Sequence, residues 1–205
     1  MYYSTIVRCK DKKQVEDLQD LYINKAKKEI LNKNAKAIQG LLKEAVKDFN
    51  DLLVNDDKER RKVGIVGEIF LKYHSFANHD VVTWLISQNI EVIPPTLITF
   101  FMQSFVNSKT KRDFNIDKIK IPQFIMDFVY KLLSKKITQY NDILSEFKYF
   151  NPIEDVFHLS KNVKNILPLF TQFGEGWLLP AEIVECVKNK VNTVISLQPF
   201  GCIAN

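Results

Sequence analysis

KVGIVGEIFLKYHSFANHDVVTWLISQNIEVI, Lys62–Ile93, decides the fold. Its first six residues, Lys62 to Gly67, carry Val63, Ile65 and Val66, are too short for a helix and end in glycine, so they read as a short buried strand. Asn78 is a good N-cap for a helix carrying Val81, Val82, Leu85 and Ile86. Ile90-Glu91-Val92-Ile93 reads as a second strand, ended by Pro94-Pro95. A strand, a loop, a helix and a strand over this length form a parallel crossover unit, expected to be right-handed.

Working outward, Lys12 to about Leu53 is helical in pattern. Val15, Leu18, Tyr22, Ala26 and Ile30 fall at three- and four-residue steps, and Ile38, Leu41, Val46, Phe49 and Leu53 roughly continue them. Gly40 either separates two helices or sits inside one. Asn55 to Arg61 is a charged loop. Beyond the second strand, Thr96–Asn107, Pro122–Tyr149 and Pro152–Asn165 read as helices, with Ser108–Asn115 a polar connector. Pro122 and Pro152 suit first helical turns, and Asn151 suits a cap. Gly174 and Gly176 mark a turn, Pro180 opens an amphipathic helix to about Lys190, and Val194 to Leu197 is an apolar strand running into Gln198-Pro199-Phe200-Gly201-Cys202. The expected architecture is α/β: a short parallel sheet, partial and flavodoxin- or Rossmann-like. A helical arm at 1–61 precedes an α/β domain at 62–205, which carries a helical insertion at about 96–165.

The bulk numbers bound function. A hydrophobic share of 46% and a charged share of 26% are ordinary for a soluble globular protein. No apolar run reaches the roughly 18 residues of a membrane span, and no signal peptide is evident, so the expected location is the cytoplasm. The net charge of +5 comes with interspersed acids and no nucleic-acid-binding motif, so solvated helix faces account for it. Cys9, Cys186 and Cys202 are odd in number and unpaired in spacing, which fits a reducing compartment rather than a disulfide framework.

Cys202 lies just past the C-terminal end of what reads as a buried strand, where open α/β sheets place ligands, and Gly201 lets a bulky group approach the backbone. The alternative is a buried small hydrophobe. Cys186 sits at helical spacing with Ile183 and Val187 and reads as core. The loop from Gly67-Glu68 to Asn78 either turns the chain or sets backbone N–H groups against an anion, although it lacks a dinucleotide fingerprint. His74 and His79 are five apart, one too many for a metal pair on one helix face. His158 reads as structural. Glu175, between two glycines, either contacts a ligand or caps the turn. Trp177 reads as core rather than as a stacking platform. No nucleophile–base pair emerges from spacing.

Three segments in order carry a family resemblance: KVGIVGEIFLKYHSFAN (Lys62–Asn78), FGEGWLLPAEIVE (Phe173–Glu185) and VISLQPFGCIAN (Val194–Asn205). Together they resemble the domain attached to large 2-hydroxyacyl-CoA dehydratase activase-related proteins, itself similar to the dehydratase subunits. The resemblance extends over about Lys62 to Asn205 and is weakest in the helical middle. It implies an α/β domain in the cytoplasm of anaerobes. Relatives hold an iron–sulfur cluster through cysteines at strand ends, and an ATP-driven activator passes them an electron for acyl-CoA chemistry. On this resemblance Cys202 is the cluster ligand. Gly67, Glu68, Lys72 and Asn78 match the first motif, and Gly174, Glu175 and Gly176 the second, as cofactor-binding positions.

A 4Fe–4S cluster generally takes four thiolates, and the chain offers one in context, so the cluster requires ligands from elsewhere. The activator's phosphate-binding motif is missing, so the chain is not expected to be an ATPase by itself. The expected partner is another protein chain, a dehydratase or activator component, with self-association through an uncovered edge near Leu197 to Phe200. The domain is expected to be incomplete after Cys202. Two other readings stay open: a non-catalytic interaction domain that kept the fold and lost the chemistry, and a CoA- or nucleotide-binding module.

Overall fold

Strands β1 (Lys62–Gly67), β2 (Glu91–Ile93) and β3 (Val194–Leu197) form one open parallel sheet in the order β2-β1-β3. The computed structural model describes residues 1–54, 59–94, 96–116 and 121–202. Pro95, residues 55–58 of the charged loop and the last three residues of the third motif fall outside that set.

β1 takes the centre because Val63, Ile65 and Val66 are all buried, so both its faces are covered, as expected in a parallel sheet. β3 lies beside it in register, with Gly64 opposite Val194 and Gly67 opposite Leu197. The Gly64 N–H donates to the Thr193 carbonyl at 2.9 Å, and the Glu68 N–H to the Leu197 carbonyl at 2.9 Å. The expectation of a buried last strand needs correcting. β3 is an edge strand, half-buried, with Ser196 exposed. An edge strand has a neighbour on one side only.

Several helix boundaries also differ from the sequence reading. The long N-terminal pattern is two helices, α2 (Lys12–Leu31) and α3 (Ala35–Asp51), preceded by the short α1 (Tyr2–Ile6). The break falls at Lys33, whose φ is +55°, and Gly40 sits inside α3 with open space around it. After β1 comes a short helix α4 (Ile69–Tyr73), then α5 (Val81–Ser87). Asn78 does not cap α5. Its amide donates to the Leu71 carbonyl at 2.9 Å, and His79 and Asp80 have positive φ, which delays the helix to Val81.

The stretch read as a polar connector is largely helix: α6 runs Leu97–Asp113, held by buried Val106 and Thr110 and by a Lys109–Asp113 pair at 3.3 Å. α7 covers Gln123–Leu144, so it stops short of Tyr149. α8 (Val156–Val163) starts later than Pro152, because Asp155 is the cap and not Asn151. The Asp155 carboxylate accepts from the N–H groups of Phe157 at 2.9 Å and His158 at 3.1 Å. α9 (Leu178–Lys188) carries Pro180 in its first turn, where a missing N–H is cheapest.

The chain divides into two compact units. The first joins Met1–Arg61 with Ile86–Glu91 and Lys136–Pro152. Val15 of α2 and Ala45, Val46 and Phe49 of α3 form its core with Ile6, Val7 and Phe147. A cavity of about 310 Å³ opens among its three helices, lined by Tyr2, Ile23, Ile38, Leu42 and Phe49 among others. In the same unit the Arg8 guanidinium meets Glu91 at 2.7 Å, both almost wholly buried. The second unit joins Lys62–Leu85, Val92–Lys135 and Ile153–Asn205 and holds the sheet and α6, α8 and α9. Trp177 is fully buried there and its indole N–H donates to Asn107 Oδ1 at 2.7 Å, so it is core rather than a stacking platform. Among the described residues no helix is long and apolar enough to cross a membrane.

Candidate ligand edge of the parallel sheet

The candidate site lies at the carboxyl end of β1 and β3, within the second unit. Gly67 is the hinge of this edge. Its φ is +123°, and a Cβ there would sit 2.1 Å from the Leu197 carbonyl oxygen. Only glycine accommodates both the backbone angle and the approach of β3. The turn at Gly174-Glu175-Gly176 is built the same way. Both glycines have positive φ, and a Cβ on Gly176 would meet the Thr171 carbonyl oxygen at 2.2 Å. The turn is closed by the Trp177 N–H donating to Thr171 O at 2.9 Å.

Glu175 is thereby aimed at the first motif. Its carboxylate, 2% exposed, accepts from the Ile69 N–H at 2.6 Å. Glu68 caps the same helix, accepting from the Leu71 N–H at 3.0 Å. Two free N–H groups of the α4 start are therefore taken by the protein's own carboxylates, which occupy the position an anionic ligand would want. Lys72 is likewise engaged: its ammonium lies 3.4 Å from Glu182 of α9, and both side chains are at most 5% exposed. Glu68, Lys72 and Glu175 thus bond to Leu71, Glu182 and Ile69 around the short helix α4, and Asn78 donates to the Leu71 carbonyl.

The electrostatics of this cluster are unusual. Burial pushes the Glu182 carboxyl up to about 7, Lys72 opposes the shift, and neighbouring Glu175 adds to it. A carboxyl with that value beside an ammonium is a group that can hold or release a proton near neutrality. Its place on α9, below the Gly174–Gly176 turn, was not singled out from the sequence. The signal is a glutamate on the buried face of an amphipathic helix, one turn before Cys186.

The three cysteines separate clearly. Cys202 is half-buried, five residues beyond Leu197, with its N–H donating to Pro199 O at 3.2 Å. It follows Gly201, where φ is +78° and nothing lies within 4 Å of an added Cβ. Cys186 packs its sulfur against Gly64, where an added Cβ would meet Sγ at 2.7 Å. Burial first, then Glu182 and Glu185, push its thiol up to about 11. Cys9 belongs to the other unit, where its thiol donates to Asp11 O at 3.3 Å. A 4Fe–4S cluster needs about four thiolates. Among the described residues this edge supplies Cys202 alone, so the chain by itself does not fit a cluster.

A second group was invisible in the sequence. Glu154, His158 and Glu185 place a ligand atom each within 4.8 Å of one another. Glu154 and His158 are four apart, but Glu185 joins them only because α9 packs on α8. His158 is exposed, and both Glu185 oxygens already accept from amides, of Asn162 at 3.1 Å and Asn189 at 3.0 Å. The group also sits at the start of α8, where the helix dipole disfavours a cation. His74 stacks on Phe70 with ring centroids 4.6 Å apart.

Comparison with protein families, with curated proteins and with solved structures gives no match to this chain.

Proposed function

We propose that this chain is a domain of an acyl-CoA dehydratase/activase-type iron–sulfur system, in which Cys202 is the one thiolate it brings to a cluster completed by another chain. The single observation that supports this reading is the meeting of all three resembling segments at one sheet edge. Gly67 faces Leu197 across β1 and β3, Glu175 binds Ile69, and Cys202 follows five residues on. That is the edge at which open α/β sheets bind ligands. In this reading the sheet is a partial flavodoxin-like core, and the protein works in the cytoplasm with a dehydratase or activator component. When bound, the cluster supplies one-electron chemistry. The chain's own residues hold the edge: Gly67 lets β3 approach, and Glu175 fixes α4. The Lys72–Glu182 pair keeps a titratable proton beneath it.

A rival reading as an independent CoA- or nucleotide-binding module would use the Gly67–Asn78 loop. The carboxylates on the Ile69 and Leu71 N–H groups count against it. Reconstitution with iron and sulfide under anaerobic conditions tests the proposal. The expected result is no stable cluster on the chain alone. A 4Fe–4S absorbance and electron-spin signature should appear when a dehydratase-type component is added, and should be lost in Cys202→Ala. A cluster that survives Cys202→Ala overturns it. Alkylation provides an independent check. Iodoacetamide at mildly alkaline pH should label Cys202 well before Cys186, whose thiol is held protonated.

A further inference from the structure

α7 faces the wrong way for a helix that packs only on its own chain. Over residues 123–135 of this helix, Gln123, Met126, Tyr130 and Ser134 are the less exposed positions, at three- and four-residue spacing, so they mark the side turned inward. Tyr130 confirms the direction: its ring meets Phe105 at 5.5 Å and Phe157 at 4.9 Å, and its hydroxyl donates to Asp155. The opposite side carries the apolar residues. Phe124 is 72% exposed, Ile125 41%, Phe128 61%, Val129 39%, Leu132 51% and Leu133 38%. A soluble helix normally shows the reverse arrangement.

The spacing of these six residues is compatible with a second copy of the same face. They form two ridges at four-residue steps, Phe124-Phe128-Leu132 and Ile125-Val129-Leu133. Ridges of this kind interlock with an identical set at a crossing of about −50°. The set is also its own mirror when the helix is reversed about the Phe128–Val129 bond. Phe124 then falls opposite Leu133, Ile125 opposite Leu132, and Phe128 opposite Val129. A two-fold contact between identical chains requires this self-complementarity.

At the stated exposures the six side chains present on the order of 500 Å² of apolar surface per copy. Two copies would bury roughly 1,000 Å², the lower bound for a specific interface.

We infer that the outer face of α7 is the interface of an antiparallel, two-fold homodimer of this chain, weak enough to be concentration-dependent. Sedimentation velocity on the full chain, from about 1 to about 300 µM, should show a monomer–dimer equilibrium with a dissociation constant on the order of tens of µM. Phe128→Lys and Val129→Glu should each shift the chain to monomer at all of these concentrations, with an unchanged circular dichroism spectrum. Both positions are already exposed, so neither change should unfold the protein. Mixing the two variants should restore dimer, because position 128 of one copy faces 129 of the other and the new charges attract. A strictly monomeric wild type overturns the proposal and leaves the face to a different protein. So does a dimer that survives both substitutions, or one that mixing fails to restore. None of these outcomes depends on Cys202 or on a cluster.

Discussion

Among the described residues each of the two compact units buries one ion pair, and the two pairs are built differently. Arg8–Glu91 is close, at 2.7 Å, and the arginine has two further partners. The second Arg8 nitrogen donates to Ser4 O at 2.8 Å, and the guanidinium lies 3.8 Å over the Tyr149 ring. Lys72–Glu182 is a single contact at 3.4 Å. Arginine keeps its charge in any folded protein and its planar fork can serve several acceptors at once, whereas lysine is one flexible point charge. The first pair is therefore a clamp that ties the segment after α1 to the start of β2. The second is a loose pair whose acid remains free to titrate, next to the candidate site.

The largest effect should come from breaking the clamp on one side. Arg8→Met preserves most of the side-chain volume but leaves Glu91, 0% exposed, without its counter-ion. The Glu91 Oε1 atom already has no hydrogen-bond partner among the described residues. The expected loss is about 3–5 kcal/mol, measured as a fall in the urea midpoint. Arg8→Met with Glu91→Met should recover much of it, since neither charge is then buried alone.

The next effect belongs to the looser pair and is read against pH. The Glu182 carboxyl is raised from 4.5 to about 7 in the folded protein. Both states hold its proton below about pH 4.5. Above that the unfolded chain ionises first, so stability falls as pH rises and levels off above about pH 7. The shift corresponds to about 3 kcal/mol across that window. Glu182→Gln should flatten this slope in a series of urea melts. Lys72→Met should steepen it and carry it to higher pH, costing about 2 kcal/mol at pH 8 and less at pH 5. The cost is smaller than for Arg8→Met because Glu182 can take up a proton. Equal and pH-independent losses for the two cation substitutions would erase the distinction.

The sequence exposed the sheet more readily than the site. Val63-Gly64-Ile65-Val66, Ile90 to Ile93 and Val194 to Leu197 are short, largely apolar runs followed within two residues by glycine or proline, so all three strands were legible. Boundaries failed where side chains chose partners from afar. Asn78 looks like a cap until Leu71 O claims its amide. Asn151 loses the cap of α8 to Asp155, which reaches two N–H groups. The glycines of both turns were legible because only glycine tolerates positive φ without strain. Glu182 was hidden because burial of a charge depends on which helix face the sheet covers. Neither Arg8 nor Glu91 stands out in composition, and 83 residues separate them.

The finest distinction between the pairs is in their aromatic neighbours. Arg8, itself buried, stands 3.8 Å from the centroid of the half-buried Tyr149 ring, where a cation–π contact is worth about 1–2 kcal/mol. Lys72 stands 5.9 Å from the Tyr73 centroid, at the edge of the useful range, and Tyr73 is 46% exposed. Tyr149→Leu should therefore lower stability by about 1 kcal/mol or more beyond its loss of apolar area. Tyr73→Leu should change it by about 0.5 kcal/mol at most. The cleanest measurement is a double-mutant cycle. Tyr149→Leu should cost much less in an Arg8→Met background than in the wild type, because the cation it faces has gone. Tyr73→Leu should cost the same with or without Lys72. A coupling near zero for Arg8 and Tyr149 would mean that the clamp rests on its hydrogen bonds alone, and that the two buried pairs differ only in distance.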